Sequence, residues 1–387
     1  MSDDPRDRAE QRTLLMPRRE VGSNLPRGFA LDEFIVDRVL GVGGNSIVYL
    51  AQDTRLDRRV AVKEYLPGTI AARVPNGEVA PRLPRFSETY DKGLQSFMNE
   101  ARMLGSFDHP AVVKVYRFWA ANGTAYMAMP YYDGITLKKW LADLGAPPSE
   151  KWLRQLAGAL VQGLSVLHEH GCVHRDVAPD NILMQFDKSA GNYLEQAPRP
   201  VLLDFGAARR VVADATQNLT SLLKSGYSPI EQYDNDAGLE QGPWTDVYAL
   251  CAVLYTAATG RVPNAAIARA VRNDLVPARV AGKGGYSQAL LAAIDAGLTV
   301  RPEGRPQSMK GLAEWISRPE PEPAPAPRPV AKATGKPTGK PQGAAPGADL
   351  DLDLGGSRGP SRSKIWWMAS VSALVLLAAL TLLVMLS

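Results

Sequence analysis

The chain has 387 residues, 22% charged and 45% hydrophobic, and its 44 Lys and Arg against 40 Asp and Glu leave a formal charge of +4. That balance excludes an acidic disordered chain and a collagen-like one, and it is too weak to be the footprint of a dedicated nucleic-acid binder. Two cysteines, Cys172 and Cys251, exclude a disulfide framework. Neither has a partner at metal-ligand spacing, so a reducing cytosolic setting is expected, and their apolar neighbours predict buried, inert thiols.

Residues 1–30 read as a solvated tail, with acidic and basic residues alternating from Asp3 to Arg12 and no apolar core to make a secretory signal. The folded part opens with Phe34-Ile35-Val36 and then Gly41-Val42-Gly43-Gly44-Asn45-Ser46. Glycines between apolar segments let backbone N–H groups approach phosphate oxygens. Alone, such a stretch is as well explained by a hairpin turn. A dinucleotide-binding turn needs a helix after the glycines, whereas Ile47-Val48-Tyr49-Leu50 reads as strand, so a strand–turn–strand flap is expected.

Val60-Ala61-Val62-Lys63 reads as another strand, ending on a lysine. In a helix expected over Ser96–Phe107, Phe97, Glu100, Ala101 and Leu104 share one face. A carboxylate among apolar side chains needs a cation. Lys63 is the candidate, and the pair would hold its ammonium for a phosphate.

Trp152–His170 carries Leu153, Leu156, Leu160, Leu164 and Leu167 on one stripe and is closed by Gly171. His168 and His170, two apart, read as structural. Next come His174-Arg175-Asp176-Val177-Ala178-Pro179-Asp180-Asn181 and, after Val201-Leu202-Leu203, Asp204-Phe205-Gly206. Two loops at short apolar strands thus present Asp176, Asn181 and Asp204, hard oxygen ligands suited to Mg²⁺ on nucleotide phosphates. A lone Asp-Phe-Gly is a turn by default. Two such loops in this order, behind a glycine flap and a Lys/Glu pair, are not a coincidence.

From Pro319 to Pro329 every second residue is proline, which forbids helix, and 319–364 reads as a linker. Its reach as a coil is about 40 Å. The Asp-Leu repeat at 349–354 reads as solvated linker or as a short docking strand. Ile365–Leu386 carries no charge and as a helix spans about 33 Å, enough for a bilayer core. Trp366 and Trp367 suit the interface, while Arg358, Arg362 and Lys364 mark the cytoplasmic side. A single-pass anchor in the cytoplasmic (inner) membrane is expected. Only Ser387 follows it, so no domain is expected beyond the membrane.

In combination these motifs resemble the eukaryotic-like protein Ser/Thr kinase family, in particular its bacterial membrane-anchored kind, over about residues 34–316. The resemblance implies an α+β, bilobal fold within a kinase domain at 31–318. A β-rich N-lobe (about 31–132) and a helical C-lobe (about 133–318) would hold ATP between them, followed by the linker and a transmembrane helix at 365–386. Carried over residue by residue, Gly41 and Gly43 cover the phosphates, while Val42, Gly44, Val48, Ala61, Met129, Tyr132 and Leu183 complete the ATP site. Met129 stands at the back of the adenine pocket, with Pro130-Tyr131-Tyr132 as the hinge. Lys63 contacts the α/β-phosphates and pairs with Glu100. Asp176 accepts the substrate hydroxyl proton, and Asn181 and Asp204 hold Mg²⁺, or Mn²⁺ in its place. The implied activity is γ-phosphate transfer to Ser or Thr of cytoplasmic proteins, the chain itself in trans included, with no nucleic-acid partner.

The resemblance also pairs Glu231, in Ser228-Pro229-Ile230-Glu231, with Arg305, and buries Asp246 under the 174–181 loop. Arg175 beside Asp176 implies regulation by a phosphate on Thr216, Thr220, Ser221 or Ser225 of the 207–227 loop. Three positions depart from the family. Ser46 replaces its third glycine, the Pro67–Pro84 stretch reads as an inserted surface loop, and Ala178 stands where Ser/Thr kinases place a lysine. Lys224, where a threonine is usual, either enters the space Ala178 leaves or is a solvated loop lysine. Ala178 also supports a rival reading, a membrane-tethered pseudokinase acting as nucleotide-binding scaffold. A small-molecule phosphotransferase is opposed by the Ser228–Glu231 segment.

Overall fold

The computed structural model describes residues 23–187, 189–205, 223–233, 238–282 and 285–318. Four apolar runs in succession form β1 (Ala30–Leu31), β2 (Phe34–Val42), β3 (Ser46–Asp53) and β4 (Arg58–Tyr65). With β7 (Arg117–Ala121) and β8 (Thr124–Pro130) they make one antiparallel sheet in the order β1-β2-β3-β4-β8-β7. The strand–turn–strand flap is present as β2 and β3, with Val42 opposite Ile47. Interior β4 is buried from Val60 to Tyr65, and its register sets Lys63 beside Val48 and Ala61 beside Met129.

Helix α1 (Ser87–Leu104) buries Phe97, Glu100, Ala101 and Leu104 on one face, as their spacing predicts. It begins at Ser87 rather than Ser96. Its first turns bury only Tyr90 and Gly93, too sparse a stripe to register as periodic. The helical half comprises α2 (Leu137–Leu144), α3 (Glu150–Glu169), α4 (Pro243–Thr259), α5 (Ala266–Val271), α6 (Ala278–Ala281), α7 (Gln288–Gly297) and α8 (Met309–Ile316). Ser149 caps α3 by accepting from the Trp152 N–H, and Gly171 follows its end at φ +70°. Three short strands, β9 (Gly134–Thr136), β10 (Ile182–Gln185) and β11 (Pro200–Leu202), form a second sheet with β10 central.

Helix α4 is buried on all sides from Thr245 to Tyr255, Asp246 included. Beside it the Arg305 guanidinium donates to both Glu231 oxygens at 2.7 and 3.0 Å, and Thr245 Oγ1 donates to Glu231 at 3.0 Å. Neither Glu231 nor Arg305 has side-chain surface exposed.

Two expectations are corrected. Residues 23–30, placed in the tail, belong to the fold: Leu25 is buried and its N–H donates to the Tyr49 hydroxyl at 3.1 Å. The Pro67–Pro84 stretch is not a surface loop but a hairpin of β5 (Ala71–Arg73) and β6 (Val79–Pro81). Arg73 donates to both Glu64 oxygens at 2.7 and 2.6 Å, while Tyr49 donates to the same carboxylate at 2.8 Å. Val79 N–H donates to Asn122 O at 2.8 Å, tying the hairpin to the β7–β8 turn.

No helix among the described residues is long and apolar enough to cross a membrane. The run at 365–386 and the linker lie outside the described residues, as do Thr216, Thr220 and Ser221. Arg73→Ala leaves the fully buried Glu64 carboxylate without its cation, and losing one member of such a pair costs about 3–5 kcal/mol. Denaturant titration of the variant checks this. A change below about 1 kcal/mol means that the hairpin is a surface appendage after all.

Candidate active site

Between the first sheet and the helical half lies a cleft of about 390 Å³. Leu40, Val48, Ala61, Met129, Tyr132 and Leu183 give it apolar walls, and Lys63, Glu100 and Asp204 line it as well. A smaller space of about 100 Å³ is bounded by Gly43, Gly44, Asn45 and Ser46 on one side and by Lys63, Asp176 and Asp204 on the other. The structure therefore brings together nearly every residue singled out above. Gly41 lines the larger space, whereas Val42, 65% exposed on the flap, lines neither.

Lys63 Nζ lies 2.7 Å from Asp204 Oδ1 and 3.7 Å from Glu100 Oε1. Glu100 is buried, and burial pushes its carboxyl up to about 7, with the Lys63 ammonium pulling the other way. On the facing loop Asn181 Nδ2 donates to Asp176 Oδ2 at 2.6 Å and to the Asp176 carbonyl at 2.9 Å. Lys224 Nζ stands 3.6 Å from Asp176 Oδ1, so the loop lysine is at the carboxylate and not in solvent.

The 174–181 loop is held from beneath. Asp246 accepts the backbone N–H groups of His174 and Arg175, each at 2.8 Å, and His168 Nε2 lies 2.8 Å from the same carboxylate. Arg175 itself sits at φ +67°, a left-handed conformation uncommon outside glycine, and this turns the chain toward Asp176. His174 then links the two loops. Its Nδ1 accepts the Asp176 N–H at 3.3 Å and its Nε2 donates to Leu203 O at 3.0 Å. That bonding needs the neutral ring, and burial holds His174 below the usual imidazole range. Its ring also lies 4.3 Å from Phe205.

Several of these partners had no signal in the residue pattern. His168 reads as structural and is so, but its specific bond to Asp246 joins residues 78 apart in sequence. The Arg175 side chain is exposed while its carbonyl accepts from Gln232 at 2.8 Å. Both thiols are buried and pushed up to about 12, mainly by desolvation, as inert cysteines should be.

The chain is similar to several known proteins. The PpkA-294 apo form has 40% sequence identity and a TM-score of 0.67, over 76% of this chain and 99% of that one. Serine/threonine-protein kinase PknB of Mycobacterium tuberculosis is 32% identical over 291 residues, 72% of this chain and 41% of PknB. PrkC of Bacillus subtilis, also a serine/threonine-protein kinase, is 31% identical over 58% of this chain and 30% of its own length. The chain thus spans less than half the length of these two relatives. The protein kinase domain model matches residues 34–310, and the chain belongs to that family.

Proposed function

We propose that this chain is an ATP- and Mg²⁺-dependent protein kinase that phosphorylates Ser and Thr hydroxyls of cytoplasmic proteins, itself in trans included. The observation that carries the reading is one constellation at the cleft: Lys63 between Glu100 and Asp204, facing Asp176 hydrogen-bonded to Asn181. The names of PknB and PrkC support the Ser/Thr class.

The apolar cleft suits an adenine ring, with the Pro130 carbonyl accepting and the Tyr132 N–H donating. Proline lacks an N–H, but only its carbonyl is needed there. Lys63, held by Glu100, meets the α/β-phosphates. Asn45 lines the smaller space with its Nδ2 buried and without an acceptor, which phosphate oxygens would supply. Asn181 turns its amide nitrogen to Asp176, leaving its carbonyl oxygen for a cation, and the Asp204 side chain is 47% exposed. Together these are hard donors that fit Mg²⁺, or Mn²⁺ in its place. When bound, the ion neutralises charge on the β- and γ-phosphates.

Asp176 orients the substrate hydroxyl and takes its proton while that oxygen bonds to the γ-phosphorus and ADP leaves. Arg175, exposed beside it, would pair with a phosphate on Thr216, Thr220, Ser221 or Ser225. The uncharged run Ile365–Leu386, with Arg358, Arg362 and Lys364 before it, supports a single-pass tether that keeps the kinase body in the cytoplasm, beyond a 319–364 linker. Flotation with phospholipid vesicles tests the tether: the whole chain should float and a chain cut after Arg318 should not.

With labelled ATP and a generic protein substrate, Lys63→Met and Asp176→Asn should each lower kcat by about 10²–10³-fold, measured at a temperature where the unfolding transition of each variant shows it folded. Nucleotide binding with no transfer by the wild type is the pseudokinase outcome and sinks the proposal. A pH dependence follows from Glu100, whose carboxyl is raised from 4.5 to about 7. In that window the folded protein keeps a proton that the unfolded chain releases, so stability falls as pH rises through it, relative to Glu100→Gln. Over the same rise Glu100 ionises and pairs with Lys63, so transfer should increase through about pH 7. Melting temperatures and rates of both proteins across the window check the two signs. Parallel curves for wild type and variant would refute the assignment.

A further inference from the structure

We propose that Lys224 supplies the cation that meets the transferring phosphate, and that α4 sets it in place together with the carboxylate it serves. This rests on the kinase reading and names a further residue for the same reaction.

A γ-phosphate in the smaller space approaches the carboxylates of Asp176 and Asp204. Three anionic groups in a half-closed site, one of them a multiply charged phosphate, demand cations besides a bound Mg²⁺. Lys63 already answers Asp204 and Glu100. The 174–181 loop brings no lysine, since the residue two beyond Asp176 is Ala178, a methyl group 1% exposed. The charge comes instead from residue 224. Asp176 gives its Oδ2 to Asn181 at 2.6 Å, and Lys224 Nζ takes the Oδ1 side at 3.6 Å. The ammonium thus stands beside the carboxylate that the substrate hydroxyl and the phosphate approach, where it can screen the charge of both. Its side chain is only 21% exposed, which strengthens both interactions relative to open water.

The backbone fixes this placement. Lys224 O accepts the N–H groups of Tyr227 and Ser228 at 2.9 and 3.0 Å, a single tight turn. Gly226 within it lies at φ +85°, and a Cβ there would collide with the Pro263 carbonyl oxygen. The Tyr227 hydroxyl lies 3.2 Å from Thr256 Oγ1 on α4. The same helix carries Asp246, which holds the backbone of His174 and Arg175 next to Asp176. One buried helix therefore aligns both the base and the cation. Because the cation rides on a different segment from the base, order in residues 223–228 governs the chemical step and not only substrate access.

The test uses the full chain, labelled ATP and a generic protein substrate. Lys224→Ala should lower kcat by about 10²-fold, with the KM for ATP within about twofold and the melting temperature unchanged. Adding Ala178→Lys, in an Ala178→Lys/Lys224→Thr protein, should restore at least tenfold of that loss, because it puts an ammonium on the catalytic loop itself. A wild type that transfers phosphate and a Lys224→Ala variant that equals it overturn the role of Lys224 and leave the kinase reading standing. A loss that Ala178→Lys does not restore also overturns it, since Lys224 then serves only the packing of its turn. No transfer by the wild type overturns both readings.

Discussion

Asp246 is a carboxylate with no exposed surface, and it accepts two backbone N–H groups from the loop that bears Asp176. A carboxylate in such a place needs hydrogen-bond donors around it, and here His174, Arg175 and His168 supply them. The bonds are directional, so they fix the path of the loop as well as its depth. Arg175 is bent to positive φ, a local cost of order 1 kcal/mol that the Asp246 bonds offset. Removing Asp246 would leave both N–H groups without their acceptor. The constraint reaches further through His174, whose neutral ring takes the Asp176 N–H on one nitrogen and gives a proton to Leu203 O from the other. Asp204 follows Leu203 directly, so the Asp176 and Asp204 carboxylates are registered to one helix.

The opposite wall is aligned by the strand period. Successive residues of β4 face opposite ways, so Lys63 enters the cleft while Glu64 turns to the far side. There it meets Arg73 and Tyr49, in a pair with almost no water. The β5–β6 hairpin thereby clamps the strand that delivers the lysine. The segment between β4 and β5 meets the flap backbone to backbone: Leu66 N–H donates to Asn45 O at 3.0 Å and Gly68 N–H to Gly44 O at 3.1 Å. A flap tied in this way has fewer conformations to lose on binding.

These two walls differ in how far they were legible from residues alone. Lys63, Glu100, Asp176, Asn181 and Asp204 could be read because each chemistry demands its residue type at a fixed place on a strand, a helix face or a loop. Glu100 among apolar neighbours even identified its partner, which lies 3.7 Å away. The hairpin could not be read, because Pro67, Pro75, Gly77, Pro81 and Pro84 punctuate it and its strands are three residues each. Strands so short gain their stability from Glu64, Ser23 and Asn122, which are distant in sequence. The start of α1 was hidden for a related reason, since Tyr90 packs against Tyr65, with ring centroids 5.3 Å apart and the rings tilted by 38°, rather than belonging to a helical stripe of its own. Leu25 likewise carries no pattern, since its N–H donates to the Tyr49 hydroxyl, which comes from a strand 24 residues away. Local periodicity reports faces, and a residue whose partner comes from far away leaves no trace in it.

Lys224 shows what a departure from a pattern can still disclose. Ala178 empties one position of charge, and the electrostatic demand of a phosphate between carboxylates does not vanish with it. A cation must then enter from whichever backbone passes within a lysine's reach. The turn at 224–228 does so, because Gly226 lets it lie flush against Pro263 and Tyr227 pins it to α4. A larger residue at 226 would lift the turn away from Pro263 and withdraw the ammonium from Asp176, although no charged group had been changed. The conformational freedom of one glycine and the reach of one lysine are therefore a single requirement, and α4 is what makes them act at the same point as Asp176.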